Sequence, residues 1–330
     1  MTINLLLVAW PRQRAYVADM KRIAARVPEI AGNIRAHLLP HRPGFRWKLW
    51  PLYFQPTLSL SIRQPRAGML LPGRTITGVH MSKCRQSMRM DAAGVPVPKW
   101  TVITPGTRLD PATWGPYVVE KPDTGMFGAF VRIRKTGRVR YTPPESYPAD
   151  HYGRSGPMIA QRFIYTGEWP TSYRVVTFFG ETLLCYRQWS TRGYPLASRW
   201  DFKATGGITI VSNVKDMKVV LDKDAEVIAL AERAHREAFA EFPLLSLDIV
   251  RDADTSELFV LEAHTRGAGW LFSRRDGLSI QADNKINFES QFDGIEKAAQ
   301  ILARVTPRLA ALSWPLHRPA PAVPAVSAHS

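Results

Sequence analysis

The amino-acid sequence predicts an α+β protein of two or three lobes. Three observations lead there. At 330 residues the chain can bury a full core and support more than one lobe. Apolar runs of strand length, bounded by Gly, Pro, Asp and Ser turns, recur along it. Between them, residues 222–241 place Val227, Ala231, Ala234 and Ala238 on one face of a helix.

Taken in order, Ile3-Asn4-Leu5-Leu6-Leu7-Val8-Ala9-Trp10 reads as a first buried strand. It is too short to span a bilayer. No basic residue precedes it and no small-residue cleavage site follows, so it does not read as a signal peptide. Segment 41–54 interleaves cations with five aromatics, Phe45, Trp47, Trp50, Tyr53 and Phe54. Such alternation suits stacked nucleobases or an anionic membrane. The preferred reading is a proline-bounded loop that tucks its aromatics into the lobe core. Thr57-Leu58-Ser59-Leu60-Ser61-Ile62 alternates as a half-buried strand. These elements make a basic α/β lobe over residues 1–80.

Tyr117-Val118-Val119-Glu120-Lys121-Pro122 is a short strand ending in a Lys, and residues 129–134 are its partner. Between them runs Asp123-Thr124-Gly125-Met126-Phe127-Gly128. Two glycines let backbone N–H groups approach phosphate oxygens, and Lys121 adds a point charge. The same pattern also serves an ordinary turn. Residues 158–164 form a further strand. Tyr165-Thr166-Gly167-Glu168 turns the chain, and a strand at 172–178 follows with Arg174 on it.

The next pair of strands carries the most chemistry. Leu245-Ser246-Leu247-Asp248-Ile249-Val250-Arg251 and Glu257-Leu258-Phe259-Val260-Leu261-Glu262-Ala263-His264 flank a polar turn at 252–256, a β-hairpin signature. Alternation puts Glu262 and His264 on one face. With the turn centred near Asp254, Asp248 lies opposite Val260 and diagonal to Glu262, roughly 7–8 Å away. One or two cations can bridge that span, and carboxylates of this kind suit Mg²⁺ held together with substrate phosphates. A surface hairpin whose acids face water has the same pattern. A last helix is expected at 289–312, followed by a tail at 313–330 whose Pro, Ala and Ser content cannot pack.

The order of these parts resembles the ATP-grasp superfamily, which includes glutathione synthetase, D-alanine–D-alanine ligase and the ligases that add glutamate to ribosomal protein. The resemblance covers about residues 80–275. No single motif is specific; the ordered set is. It implies two α+β subdomains sandwiching ATP, a central and lid part at 81–160 and a C-terminal part at 161–312 with the metal hairpin. Lys83, opening a helix that runs into Ala93-Gly94-Val95-Pro96-Val97-Pro98, matches a Lys that reaches ATP phosphate. Lys121 matches the second phosphate Lys. Asp123, Thr124, Gly125 and Gly128 look like the glycine lid over the phosphates. Gln161, Phe163 and Ile164 match the strand that meets adenine, and Glu168 resembles the acid that binds the ribose hydroxyls. Arg174, Lys203 in the loop 200–207, and Arg266 match groups near the transferred phosphate and the substrates. Asp248 and Glu262 match metal-binding carboxylates.

Two positions depart from the family pattern. The hairpin normally ends Glu-x-Asn, and here it ends Glu262-Ala263-His264. A neutral imidazole is a softer donor, so His264 could bind Mn²⁺, hold a metal-bound water, or hydrogen-bond Glu262. Gln161 stands where many relatives have an acid, and it keeps an acceptor for the adenine amino group.

Only two cysteines occur, Cys84 and Cys185, without metal-ligand spacing. That argues against a disulfide scaffold and for a reducing, cytoplasmic compartment. Charge is lopsided. Residues 1–90 hold fifteen Lys and Arg against two Asp and Glu, a net of +13 within a chain total of +16. The resemblance implies that the lobe before the ATP-binding part helps form the acceptor site, so a basic lobe suggests an anionic acceptor, whether a small polycarboxylate, a phosphorylated metabolite or an acidic peptide or protein. An ordinary solvated face reads the same way. The resemblance implies ADP-forming ligation of a carboxylate to an amine or thiol, with ATP and Mg²⁺ and no covalent nucleophile. It leaves room for a homodimer. A kinase that stops at phosphoryl transfer, a non-catalytic nucleotide-binding module and a nucleic-acid-binding protein remain alternatives, the last predicting steep salt dependence and indifference to ATP.

Overall fold

The computed structural model describes residues 2–9, 14–40, 47–65, 67–125, 128–190, 217–267 and 269–311. The loop 200–207 with Lys203, the tail and segment 41–46 lie outside the described residues. Three sheets organise the chain. The first is parallel: β1 (Ile3–Ala9), β2 (Ile34–Pro40), β3 (Thr57–Ser61) and β4 (Arg74–Thr77), in the order β2-β1-β3-β4. Helix α1 (Arg14–Ile30) crosses from β1 to β2 and buries Tyr16, Met20, Ile23 and Val27, a single stripe at helical spacing.

Between β2 and β3 a 3₁₀ helix spans Trp47–Phe54. Only part of it turns inward, contrary to the expectation of tucked aromatics. Leu52 is buried, whereas Trp50 and Phe54 are 49% and 68% exposed. In so tight a helix, side chains three apart eclipse, and Trp50 lies 6.4 Å from Tyr53 between ring centroids. Trp50 also meets Phe54 edge-on, 5.1 Å between centroids, at the surface.

Helix α2 (Lys83–Ala92) follows and ends where Gly94 takes a φ of +64°. Val95 N–H then reaches back to Met90 O at 2.9 Å, closing the helix as the sequence predicts. The second sheet is antiparallel: β5 (Trp100–Val102), β6 (Tyr117–Pro122), β7 (Arg132–Lys135) and β8 (Met158–Arg162), ordered β5-β8-β6-β7. A short helix α3 (Pro111–Trp114) closes over it. One face packs Val118, Met158 and Ala160 into a small core with Trp114 and Val139. Alternation therefore sends Lys121 and Gln161 to the other face.

The third sheet contains β9 (Thr171–Phe178), β10 (Glu181–Ser190), β11 (Met217–Leu221), β12 (Leu244–Arg251) and β13 (Leu258–His264), in the order β11-β10-β9-β12-β13. Helix α4 (Ala225–Ala238) covers one face, burying Val227, Ala231 and Ala234 against Val175, Leu247 and Ile249. Met90 of α2 joins the same core. After α5 (Arg275–Asn284), helix α6 (Gly294–Ala311) covers the opposite face. There its Ile301 and Leu302 share one core with Val176 and Phe178 of the third sheet and Leu5 and Leu58 of the first. The first and third sheets are thus joined through α6 rather than by a linker. Among the described residues, no helix is long and apolar enough to cross a membrane.

Candidate active site

The acidic hairpin differs from the expected register. Asp248 pairs directly with Glu262, and Ile249 pairs with Val260, so Leu261 is the extra residue of a β-bulge. The bulge puts Val260 in the α4 core beside Ile249. It leaves Glu262 opposite Asp248 on the other face, closer than the predicted diagonal. Arg174 of β9 is the partner of Asp248 on its other side, and Tyr186 of β10 is the partner of Arg174. A row Tyr186–Arg174–Asp248–Glu262 therefore crosses four strands. It lies on the face that carries Val176 and Phe178, which looks toward the N-terminal lobe.

Arg174 grips Asp248 with two bonds, Nε to Oδ1 at 2.7 Å and NH2 to Oδ2 at 2.9 Å. His264 Nε2 stands 3.1 Å from Asp248 Oδ2, and its Nδ1 stands 3.8 Å from Glu262 Oε1. Burial would raise the Asp248 pKa, but Arg174 and then His264 hold it well below the usual carboxylate range. Burial opposes charge on His264, yet Glu262 and Asp248 outweigh it and raise the imidazole pKa. Glu262 is held below its ordinary value by His264, Lys83 and Lys121 against the effect of burial. The carboxyl groups keep 19% and 24% side-chain exposure, enough for a ligand to reach them.

Cations face this row from two other elements. Lys83 opens α2, an unfavourable place for a cation because the helix dipole is positive there. Its Nζ lies 3.7 Å from Glu262 Oε1 and 3.4 Å from Gly125 O, so it links the hairpin to the glycine loop. Asp123 holds that helix end. Its carboxylate accepts from Cys84 N–H at 2.7 Å, and its carbonyl accepts from Lys83 N–H at 3.1 Å. The Cys84 thiol, half-buried beside Asp123, is pushed up to about 12 by desolvation and by the Asp123 carboxylate. Lys121 extends from the middle sheet to donate to Gln161 Oε1 at 2.8 Å. Burial pushes its ammonium down to about 8.

The other expected site residues that are described lie on the chain just after β6, β8 and β13. Gly125 has a φ of +140°, and a Cβ there would come within 2.8 Å of the Tyr152 ring, so the loop can pass only as glycine. Gly128 is left-handed at φ +64°, and Thr124 is partly exposed beside Gly156. Phe163 N–H bonds Tyr117 O at 3.3 Å, Ile164 is buried, and Ala253 N–H bonds Tyr165 O at 2.8 Å. Residues 163–165 thereby carry the chain from the second sheet to the third. Glu168 is exposed in the turn just beyond, and Arg266 is exposed two residues after β13. One supporting residue escaped the sequence reading. Gln86, buried on α2, accepts from Ala263 N–H at 2.9 Å and donates to Met81 O at 2.8 Å, fixing α2 to the strand between Glu262 and His264. Its place three residues after Lys83 is the only signal the sequence offers.

The donor chemistry fits a divalent cation shared with phosphate. Among the described residues, no group of three or more His, Cys, Asp or Glu side chains is arranged to hold a metal on its own. Asp248 is committed to Arg174 and His264, while the cationic partners of Glu262 stand at 3.7 and 3.8 Å. A hard cation here would draw on Glu262, Asp248, phosphate oxygens and water, the usual habit of Mg²⁺.

This chain has the ATP-grasp fold, with Lys121 on its second sheet and the carboxylate row on its third. No protein-family model matches the sequence, and the comparison with curated proteins finds no match. Solved structures do match. D-cycloserine synthetase DcsG superposes with a TM-score of 0.52 at 18% identity, over 92% of this chain and 99% of that one. The macrocyclase MdnC from Microcystis aeruginosa MRC, bound with precursor peptide MdnA, gives 0.49 at 10% identity, over 92% and 100%. The ATP-grasp ligase PsnB, complexed with a minimal precursor, gives 0.48 at 13% identity, over 92% and 99%.

Proposed function

We propose that the protein is an ATP-dependent, ADP-forming ligase that joins a carboxylate to an amine or thiol. The observation that carries the reading is that Arg174 bonds Asp248, Lys83 stands 3.7 Å from Glu262, and Lys121, bonded to Gln161, is near enough to feel the charge of both carboxylates. Three cations against two carboxylates leave the cleft suited to a polyphosphate. Lys121 and Lys83 would hold ATP phosphates, with Asp123 positioning Lys83 through the α2 backbone. Gln161, Phe163 and Ile164 would line the adenine side, and Glu168 would meet the ribose. The Gly125 and Gly128 loop would cover the phosphates and exclude water. Asp248 takes the Nε and NH2 edge of Arg174 and so fixes the plane of its guanidinium toward substrate. Arg266 and Lys203 would act on the substrate side. Glu262 and Asp248 would hold Mg²⁺, which supplies charge neutralisation to the phosphates when bound. His264, with a ring nitrogen toward each carboxylate, would orient that pair.

The chemistry is positioning and charge neutralisation. A substrate carboxylate oxygen attacks the γ-phosphorus, the bond to the ADP oxygen breaks, and an acylphosphate forms. The amine or thiol then attacks the acyl carbon and inorganic phosphate leaves. The half-buried, proton-bound Cys84 has no part in this. Two free cysteines suit a reducing, cytoplasmic setting.

The test is ADP release from Mg–ATP with pooled amino acids and small carboxylates, followed by mass spectrometry. The reading predicts release that needs both a carboxylate and an amine or thiol, with a joined product lighter than its parts by one water. A phosphorylated single substrate with no joined product would replace ligase with kinase.

A further inference from the structure

The large apolar side chains left in water are not scattered. Among the described residues six are exposed, and four of them, Ile30, Trp50, Phe54 and Leu70, gather at one end of the first sheet. Its strands are parallel, so all of them begin at the same end. Ile30 closes α1 just before β2, Phe54 closes the 3₁₀ helix just before β3, and Leu70 lies in the turn before β4. Hydrogen bonds hold these connections together. Ile3 N–H bonds Asn33 O and Asn4 N–H bonds Pro56 O, each at 2.9 Å. The Asn4 side chain donates to Gln55 Oε1 at 2.9 Å. Thr57 Oγ1, opening β3, donates to Leu52 O at 2.8 Å, and Ser59 Oγ donates to Pro72 O at 2.6 Å. A Cβ on Gly73 would come within 2.0 Å of Thr57 O, so the turn that carries Leu70 is pressed beside the helix that carries Trp50 and Phe54. The far ends of β3 and β4 point the other way. There Gly78 N–H bonds Ser61 O at 3.2 Å, and a Cβ on Gly78 would come within 2.6 Å of Thr265 O, just past the acidic hairpin. A surface pressed on the apolar end therefore leaves the carboxylate row open.

The charge of this region has one sign. Between Glu29 and Asp91 the sequence has ten Lys and Arg and no Asp or Glu. Arg35, exposed on β2, is the partner of Asn4 and so lies next to the Gln55 contact. Clustered apolar tips mark an interaction surface. Amid cations they match an anionic bilayer, where aromatic and leucine side chains sit at the boundary of headgroup and acyl chain and cations meet lipid phosphate. Two other partners fit less well. A second copy would bury about 800 Å² on each side, and four part-exposed side chains supply roughly half of that. Single-stranded nucleic acid stacks on flat rings, and Ile30 and Leu70 have none.

We propose that the strand-entry end of the first sheet, with Ile30, Trp50, Phe54 and Leu70 as apolar tips and Arg35 among its cations, docks the protein on an anionic phospholipid bilayer. The docking does not depend on the reading of the nucleotide cleft.

Co-sedimentation of the full chain with vesicles tests this, using phosphatidylcholine alone and phosphatidylcholine with about one-third phosphatidylglycerol. Binding to the anionic vesicles should be saturable, ten-fold or more stronger than to the neutral ones, and weakened by salt. Phe54→Ser combined with Leu70→Ser should weaken it ten-fold or more, and Arg35→Gln about five-fold. All three positions are exposed, so the variants should keep the wild-type melt. If the double variant melts early, Phe54→Ser alone takes its place, since Phe54 is the most exposed of the tips. Equal binding to both vesicles, or none, overturns the proposal. So does a folded apolar variant that binds as wild type does, because charge alone then holds the protein. A polyuridine oligonucleotide that binds more tightly than the anionic vesicles, and loses affinity in the same variant, replaces lipid with nucleic acid. A dimer that the variant dissolves, without vesicle binding, replaces it with a second copy.

Discussion

Asp248 and Glu262 stand opposite each other but carry different loads. Asp248 balances the Arg174 guanidinium through two short bonds, whereas Glu262 meets its cations at 3.7 and 3.8 Å. Asp248→Asn should therefore cost about 2 kcal/mol of stability, because it leaves a partly buried guanidinium without its counter-charge. Glu262→Gln should cost under about 1 kcal/mol. Both should lose ADP release by roughly 100-fold or more, since each removes charge needed for phosphate and metal. Urea unfolding beside ADP assays checks the split. Equal stability losses in the two variants would contradict the load assigned to Asp248. Lys121 gives a second residue-scale expectation. Its pKa falls from an ordinary 10.5 to about 8, so below pH 8 the fold holds a charge that its surroundings disfavour. Between those values the unfolded chain binds the extra proton, and stability rises with pH. The cost at pH 7 is about 3 kcal/mol, partly offset by the bond to Gln161. Lys121→Met should stabilise the ligand-free protein by about 1–2 kcal/mol and abolish ATP binding. A variant that is both less stable and still responsive to ATP would remove Lys121 from the site.

At the scale of elements, α4 is pinned to the third sheet by a neutral histidine. Thr177 Oγ1 lies 2.7 Å from His235 Nδ1, and His235 Nε2 donates to Phe242 O at 2.9 Å. Burial pushes this imidazole down to about 4 from an ordinary 6.5. Between those values the unfolded chain holds a proton that the fold lacks, so stability is present above about pH 6.5 and drains as pH falls toward 4. The full loss is about 3 kcal/mol. Urea midpoints at pH 7 and pH 4.5 should show most of it in the wild type and little of it in His235→Gln. Parallel losses in both proteins would assign the acid sensitivity elsewhere. His235 carried no signal in the sequence beyond its place in an amphipathic helix. The hairpin shows the same boundary in another form. Alternation located Glu262 and His264, but no Gly or Pro marks the bulge at Leu261, so the direct pairing with Asp248 could not be read. The Asp123 carboxylate that caps α2 at Cys84 acts across 39 positions, and no local rule connects them. Segment 41–54 misled in the opposite sense, since aromatic content alone does not say which rings face inward. Trp50 and Phe54 meet each other edge-on at the surface instead.

At the scale of the molecule, the order of strands, glycine loop and acidic hairpin was legible because each part is local and its sequence punctuation is strong. How α6 welds the first sheet to the third was not, because that contact joins residues far apart in the chain. The net charge of +13 over residues 1–90 belongs to the N-terminal lobe and α2, and the third sheet turns its carboxylate row toward that lobe. Elements from two sheets and α2 supply the proposed nucleotide site, so a bound nucleotide should tie them together. Thermal unfolding with and without Mg–ATP tests that claim most directly. At ~100 times its dissociation constant the ligand should add roughly 2.7 kcal/mol, which for a chain of this size raises the midpoint by about 4 °C. A midpoint unmoved by millimolar Mg–ATP, with no heat of binding by calorimetry, would contradict the account.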